Sequence, residues 1–414
     1  MAKGQPRMGA ALLRILRWSA CVAVCASAIS CGGGSGGNDI GPSPPPPPAN
    51  SNVADVIVDS GPSNGSVNTL FTSVTLCVPG STTECQTIDH IQIDTASFGL
   101  RILAPALTLT LPVQTALDGN SLLECTQFAD GYSWGPVALA DVQIAGESAP
   151  SAAIQVIGDP HFTNVPANCS GSGAEEDTVA AFGANGILGI GVFAQDCGTQ
   201  CESSASPQFY YSCTASTCQA TVVPLASQVS NPVGLFATDN NGSILELPSV
   251  PSQGALTASG SLIFGVDTQA NNASGNETVL TVDPSFGYLT VVFSGQSLGQ
   301  SFIDAGSNGN YFDANIAPCS DTGLSGFYCP ASTQNFTVTM QGTNAMSAVV
   351  NFSVTSAQVM FDNNPSFTAL PELAGSNPLP GSFDFGLPFF YGRRVLTVLE
   401  GQATAVDTGP YIAF

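Results

Sequence analysis

Basic residues are scarce in this chain. Its 414 residues contain seven lysines and arginines and two histidines, against 30 acidic residues. Such a charge balance repels nucleic acids and anionic lipid headgroups, which argues against both as binding partners. The two histidines, His90 and His161, are too few for a metal centre built from several imidazoles. We therefore expect neither a metal nor another cofactor.

Charged residues of both signs are also few, at 9% of the chain. Long amphipathic helices, which are rich in Lys, Glu and Arg, have little to form from. The 44 glycines and 29 prolines instead interrupt short apolar runs, a pattern typical of many short strands joined by turns. These features predict an all-β protein.

The N-terminus carries an export signal. Four basic residues precede the apolar stretch 20–29, and residues 1–30 are predicted to be a signal peptide. Residues 28–31 resemble a lipobox, in which Cys31 is lipidated; ordinary cleavage near Ser30 is the alternative. The Gly- and Pro-rich segment 31–51 is then a tether. We expect a periplasmic or surface-exposed body anchored to a bacterial membrane, the outer one being favoured.

Ten cysteines follow the tether, and an even number in an exported protein predicts five disulfides. Cys77–Cys85 and Cys319–Cys329 are the expected local pairs because each flanks a short turn-rich loop. The cluster from Cys197 to Cys218 has a loosely zinc-finger-like spacing, so a zinc site is the alternative there.

One pattern occurs twice in the body. A predicted strand over 70–76 turns and returns to Asp94-Thr95-Ala96-Ser97, and a strand over 288–293 returns to Asp304-Ala305-Gly306-Ser307. A later apolar segment that contains glycine follows each, over 186–191 with Gly189 and over 383–390 with Gly386. The aspartates are 210 residues apart and the glycines 197, so the offsets nearly agree. The repeat predicts two related lobes, over 52–225 and 226–414.

These motifs resemble those of the pepsin-like aspartic proteases, and the resemblance covers nearly the whole body. Residues 93–102 are similar to the first catalytic loop of that family, and 302–307 to the second. Residues 128–144 are similar to its flap, the hairpin that closes over the cleft; the flap residues are Phe128, Asp130, Gly131, Tyr132 and Trp134. The resemblance implies a two-lobed all-β fold with a cleft between the lobes.

By this resemblance, Asp94 and Asp304 are the catalytic pair, and Thr95, Ser97 and Ser307 support the loops. The implied function is that of an aspartic endopeptidase, a monomer that acts on peptides or unfolded proteins through an activated water. Ala96, Ala305 and Phe128 replace the glycine, hydroxyl residue and tyrosine of the family. These replacements favour the alternative, a catalytically degenerate peptide-binding module. A purely structural surface protein would not need paired aspartate loops.

The expected lipidation of Cys31 leads to a prediction for one substitution. Cys31→Ser should release the protein from the membrane fraction, because the lipid is attached through the Cys31 sulfur. Membrane fractionation with mass spectrometry of the N-terminal peptide is the measurement. A wild-type protein that stays membrane-bound with an unmodified Cys31 contradicts the lipidation.

Overall fold

The two aspartates lie at the ends of two β-hairpins, in which buried side chains alternate in part with exposed ones. The computed structural model describes residues 52–128 and 131–414, so the predicted signal peptide, tether and Cys31 lie outside the described residues. The first hairpin spans Leu70–Cys77 and Cys85–Asp94, and the second spans Leu289–Phe293 and Gln296–Ile303. Ser294 and Gly295 have φ values of 50° and 78°, the positive values that a two-residue hairpin turn requires.

Strands dominate the described residues, as the sequence predicted. The strands are β1 (Val53–Val58), β2 (Leu70–Cys77), β3 (Cys85–Asp94), β4 (Phe98–Leu103), β5 (Ser121–Gln127), β6 (Gly131–Ile144), β7 (Glu147–Ile157), β8 (Ala174–Glu175), β9 (Gly186–Ile190), β10 (Tyr210–Cys213), β11 (Cys218–Ala220), β12 (Gly242–Glu246), β13 (Ala258–Phe264), β14 (Val279–Thr281), β15 (Leu289–Phe293), β16 (Gln296–Ile303), β17 (Asn310–Tyr311), β18 (Gln334–Gln341), β19 (Ser347–Val354), β20 (Ala374–Gly375), β21 (Asp384–Phe385), β22 (Arg394–Val398) and β23 (Tyr411–Ala413). The α-helices are α1 (Ala167–Ser170), α2 (Val179–Phe182), α3 (Thr199–Ser203) and α4 (Ala357–Asn363). Short 3-10 turns occupy Ala104–Ala106, Leu225–Ser227, Pro232–Leu235, Thr322–Leu324 and Leu387–Phe389.

The strands form two sheets. The first runs in the order β11-β10-β5-β6-β7-β4-β9-β3-β2-β1-β13-β12-β22-β23-β14, with β8 beside β6, and a further pairing of β2 with β6 closes part of it into a ring. The second runs β19-β18-β15-β16-β21-β17-β20. In the first sheet β1 pairs antiparallel with β13 from Val53 to Val58. This sheet therefore contains strands from both sides of residue 226.

The duplicated sequence pattern forms the same arrangement of strands twice. In the first copy, β9 inserts between β3, to which it is parallel, and β4, to which it is antiparallel. In the second copy, β21 lies in the same way between β16 and β17. Each copy thus places an aspartate loop directly beside an apolar strand that comes from much later in the chain.

An aromatic cluster supports the second copy from behind. The rings of Phe312 and Phe383 stack with centroids 4.7 Å apart, and the Phe293 ring meets both edge-on. Buried aromatic pairs of this kind add to the stabilisation that burial of their area already supplies. The cluster fixes β21 against the hairpin that carries Asp304.

Five disulfides cross-link the described residues. The predicted pairs Cys77–Cys85 and Cys319–Cys329 are confirmed, and Cys125 pairs with Cys169. Within the segment for which zinc was the alternative, Cys197–Cys201 and Cys213–Cys218 form two local bridges, so those thiols are not free to bind metal. Five disulfides indicate a protein of an oxidising, non-cytoplasmic compartment.

In the described part of the chain no helix has the length and apolarity that crossing a membrane requires.

The length of the loop that each disulfide closes predicts which of two disulfides stabilises the protein more. Cys125 and Cys169 are 44 residues apart, whereas Cys77 and Cys85 are eight apart. Replacing both cysteines by alanine should lower the free energy of unfolding by about 4 kcal/mol for the first pair and about 2.5 kcal/mol for the second, because the longer cross-link restricts the unfolded chain more. Urea unfolding of both variants, with non-reducing peptide mapping of the wild type, measures this. A larger loss for Cys77–Cys85 contradicts the ranking.

Candidate active site

The first predicted aspartate lies at the end of β3, where the loop turns back into β4. Asp94 Oδ1 accepts hydrogen bonds from the backbone N–H groups of Ala96 at 2.7 Å and Ser97 at 3.1 Å. Strand β9 packs directly against this loop, and a Cβ on Gly189 would lie 2.5 Å from the backbone nitrogen of Phe98. Glycine is therefore required at Gly189, and it allows β9 to hold the Asp94 loop in place.

The second aspartate has a matching environment at the end of β16. Asp304 Oδ1 accepts the N–H of Gly306 at 2.7 Å, and Asp304 Oδ2 accepts the hydroxyl of Ser307 at 3.0 Å. A Cβ on Gly306 would lie 2.9 Å from both Asp304 Oδ1 and Asp94 Cγ. Gly306 thus sits against both carboxyl groups, and a side chain there would force them apart.

Side chains of the first copy bind the two loops to each other. Thr95 Oγ1 donates to the carbonyl of Ile303 at 3.1 Å and accepts the N–H of Ala305 at 2.9 Å. Gln92 Nε2 donates to the carbonyl of Gly306 at 2.9 Å. Ala305 occupies the position equivalent to Thr95 and has no hydroxyl for the reciprocal bonds. The link between the loops is therefore one-sided.

The two carboxyl groups lie within hydrogen-bonding reach of each other, and both are fully buried, with no exposed surface on either residue. Burial raises the pKa of Asp94, and hydrogen bonds to Ser97 and Asp304 only partly offset it. Burial and the charges of Asp94 and Asp384 raise the pKa of Asp304 well above its usual value. Asp94 Oδ2 has no donor among the described residues. A proton shared with Asp304 would satisfy this oxygen.

The loop serines differ in their contacts. Ser307 Oγ bonds to Asp304 and also lies 2.6 Å from Asp384 Oδ2. Ser97 Oγ is buried and makes no hydrogen bond of good geometry among the described residues, although it lies close enough to Asp94 to lower the pKa of that carboxyl.

Asp384 is a site residue that the sequence interpretation missed. The sequence pattern indicates only that Asp384 belongs to the apolar segment Phe383-Asp384-Phe385-Gly386, which packs behind the second loop. The available signal was the carboxyl group itself, since a single acidic residue within an otherwise apolar strand must be buried. Burial raises its pKa well above the usual value.

The β5–β6 hairpin contains the residues that the resemblance assigns to a flap, and it lies near the first loop, but its aromatic residues make separate contacts. Phe128 is buried and packs against Phe182, and it lines a small cavity that Ser97 also lines. Trp134 donates its indole N–H to the carbonyl of Phe162 at 2.8 Å. Gly131 and Tyr132 pair with β8. Asp130 lies outside the described residues. Neither Tyr132 nor Trp134 supplies the hydroxyl that Phe128 lacks.

A buried ionic cluster forms another wall of that cavity. Arg101 Nη2 donates to Glu124 Oε1 at 2.5 Å and to Asp196 Oδ2 at 3.0 Å. Tyr210 donates its hydroxyl to Asp196 Oδ1 at 2.6 Å. Burial and the charge of Glu124 raise the pKa of Asp196 well above its usual value, although Arg101 and the Tyr210 hydroxyl both donate to this carboxyl group. Sequence interpretation gave Arg101 no role, because its partners are distant in the chain.

Metal ligation has little support from this geometry. No cluster of three or more His, Cys, Asp or Glu residues within 52–128 and 131–414 is arranged to hold a metal ion. The acidic run Glu175–Asp177, whose carboxyl groups are of the type that calcium prefers, forms no such cluster either. The chemistry available at the site is that of paired carboxyl groups.

Comparison with known proteins gives one family. A family model described as "Protein of unknown function (DUF3443)" matches residues 48–414, and no curated protein matches the chain. Since the match extends over most of the sequence and over all the residues of the candidate site, the chain belongs to the DUF3443 family.

Proposed function

We propose that this protein is a two-lobed, pepsin-like aspartic endopeptidase that hydrolyses peptide bonds with Asp94, Asp304 and an activated water. The observation that carries the proposal is the opposition of two fully buried carboxyl groups at equivalent positions of a structural repeat. Two like charges in contact cannot both be ionised in a buried site, so the pair holds one proton between them. One member is then an acid and the other a base.

This pairing supplies both functions that peptide hydrolysis needs. The ionised carboxylate takes a proton from water while the water oxygen attacks the carbonyl carbon. The protonated carboxyl gives its proton to the carbonyl oxygen, which forms a tetrahedral diol. In the collapse of the diol the C–N bond breaks, the departing nitrogen takes the proton that the first carboxyl removed from water, and a diol hydroxyl returns a proton to the second. Asp94 and Asp304 fill the two roles interchangeably, and no covalent intermediate forms.

The loop contacts support this assignment. Backbone N–H groups of Ala96, Ser97 and Gly306 orient the carboxyl groups, and Thr95 holds the two loops at a fixed separation. Prior orientation of this kind lowers the reorganisation that accompanies proton transfer. Because the carboxyl pKa values are raised, the pair retains its shared proton through acidic pH and loses it as the pH rises through the higher of the two values. Activity should therefore decline as the pH rises through that value.

A second candidate is a protease-like module that binds peptides without cutting them. Its specific support is the absence of exposed surface on Asp94 and Asp304, because a substrate must displace neighbouring groups to reach them. The one-sided Thr95 link and the apolar Phe128 also favour it. The variants below distinguish the two candidates.

The setting of the proposed enzyme follows from charge and export. We propose a monomer anchored through Cys31 to a bacterial membrane, with peptides or unfolded proteins as its partners. The body beyond the tether has three arginines and no lysine, and each arginine is engaged: Arg101 with Glu124 and Asp196, Arg393 with the Phe389 carbonyl, and Arg394 with Glu277. A body with so few cations has little to attract polyanions.

Removing either carboxyl should abolish the activity. Asp94→Asn and Asp304→Asn should each lower kcat/KM on a denatured protein substrate at least about 10²-fold, because the pair can no longer act as both acid and base. Cleavage is assayed from about pH 2 to pH 7, a range that begins below and ends well above the usual aspartate pKa of about 3.9. Asp55→Asn, which changes an exposed aspartate on β1, is the matched control.

The outcomes separate the candidates. A hydroxyl-bearing transition-state mimic should inhibit the wild type, since its hydroxyl takes the place of the attacking water. Equal activity of the wild type and both Asn variants means that the cleavage comes from another protein in the sample. Binding of the mimic without cleavage supports the binding module.

Restoring the family residues should raise the activity. Ala96→Gly with Ala305→Thr adds the missing hydroxyl bridge, and one such bond is worth about 1 kcal/mol, or about fivefold in kcat/KM if it acts in the transition state. Ala305→Ser, which adds the hydroxyl without the methyl group, controls for crowding at this buried position. Thermal unfolding confirms that each variant folds. A restored variant that cleaves while the wild type does not identifies the protein as a degenerate protease.

A further inference from the structure

A third carboxyl group is connected to the pair through a serine. Ser307 Oγ lies 3.0 Å from Asp304 Oδ2 and 2.6 Å from Asp384 Oδ2. Asp384 begins β21, which pairs with the strand ending at Ile303, so the backbone fixes this contact. The three residues Asp304, Ser307 and Asp384 are all buried. We call them the carboxyl–serine bridge.

Counting hydrogens limits how this bridge can be protonated. A serine hydroxyl has one hydrogen, whereas both neighbouring carboxylate oxygens need a donor. If both carboxyl groups were ionised, one of them would face the lone pairs of Ser307 Oγ. One additional proton removes the conflict: a protonated Asp384 donates to Ser307 Oγ, and Ser307 donates to Asp304 Oδ2. Asp384 Oδ1 has no donor among the described residues, which further disfavours its ionised form.

The charges around Asp384 favour the same state. Asp94 and Asp304 are the titratable groups of the two catalytic loops. Strand β17 pairs with β21 on the edge opposite β16. There Tyr311 pairs with Asp384 through the backbone, and the Tyr311 hydroxyl contacts Asn308. The three arginines of the body are engaged elsewhere. No cation of the described residues thus contacts Asp384, and its raised pKa is consistent with a retained proton.

The bridge breaks the symmetry of the repeat. The strand register places Asp384 opposite Phe302 and Ile187 opposite Gln92, so an isoleucine occupies the equivalent position in the first copy. Ser97, the equivalent of Ser307, has no such second carboxyl partner. An acidic residue that core packing does not require, present in one copy only and bonded to the proposed catalytic machinery, points to a role in that machinery.

We propose that Asp384 is a positioning residue that holds a proton and thereby directs the Ser307 hydroxyl to Asp304. The inference rests on the proposed function, and Asp384 itself touches no substrate. With Asp384 protonated, Asp304 has an extra donor and ionises more readily. When Asp384 ionises, that donor turns away and a negative charge appears nearby, so Asp304 holds its proton to higher pH. The three carboxyl groups thus titrate as one system.

Two substitutions should move the pH profile in opposite directions. Asp384→Asn supplies a neutral amide that donates to Ser307 at every pH, so the alkaline limb of the kcat/KM profile should shift to lower pH. Ser307→Ala keeps every carboxyl group but removes the donor to Asp304, so the limb should shift to higher pH. Asp55→Asn, the exposed control, should leave the profile in place.

A second readout does not need activity. The pKa of Asp384 is raised above its unfolded value of about 3.8, so its contribution to stability is complete below that pH and is lost as the pH rises toward the folded pKa. Asp384→Asn should reduce the number of protons taken up on folding by about one between pH 4 and the raised pKa, and the decline of stability with pH becomes shallower. Ser307→Ala should also change that decline, because it removes both the donor to Asp304 and the acceptor of the Asp384 proton. Urea unfolding over a pH series measures both.

These readouts keep the inference separate from the proposed function. Absence of cleavage in all variants rejects the peptidase but leaves the proton count as the test of Asp384. If Asp384→Asn has the same pH dependence of stability as Asp55→Asn, the bridge proposal is wrong even for an active enzyme. If Asp384→Asn does not fold, Ser307→Ala decides: an unchanged decline of stability overturns the proposal.

Discussion

Two carboxyl groups facing each other in a buried site impose a constraint on everything around them. Water cannot stabilise their charge, and no cation of the described residues contacts them, so the chain itself must supply the stabilisation. It does so with backbone N–H groups and with loops held close together, and we propose that one shared proton completes the stabilisation. The glycines at the loops and on β9, the Thr95 link and the insertion of β9 and β21 between neighbouring strands all follow from this requirement. Without them the two charges would separate and hydrate.

The sequence was sufficient for the features whose signals are local. Alternation of apolar residues gave both hairpins to within a few residues, and the short turn-rich loops gave the disulfides Cys77–Cys85 and Cys319–Cys329. The repeat gave the two aspartate loops because its offset is preserved along the chain. All-β architecture followed from composition. These inferences need no knowledge of how distant segments meet.

The residue roles that could not be predicted from the sequence depend on contacts between residues far apart in the chain. The ion pairs of Arg101 join residues 23 and 95 positions away, and nothing near Arg101 identifies Glu124 or Asp196 as its partners. The bridge from Ser307 to Asp384 spans 77 residues. The orientation of Tyr132 and Trp134 also depends on packing against β8 and the segment near Phe162. In each case the residue type was visible, but its role depends on the side chain that the fold brings to it.

The position of β1 has a consequence for how the chain folds. Six residue pairs join β1 to β13, whereas two join it to β2, its neighbour in sequence. Strand β1, the first strand of the described residues, can therefore pair with its main partner only after about 200 further residues have followed it. Closing so long a loop is entropically costly, and strands of this kind are completed late. An exported chain of this topology must stay soluble, with Val56 and Val58 uncovered, until residues beyond 258 arrive. Completion of the first sheet, which also contains β22 and β23, thus requires a nearly full-length chain.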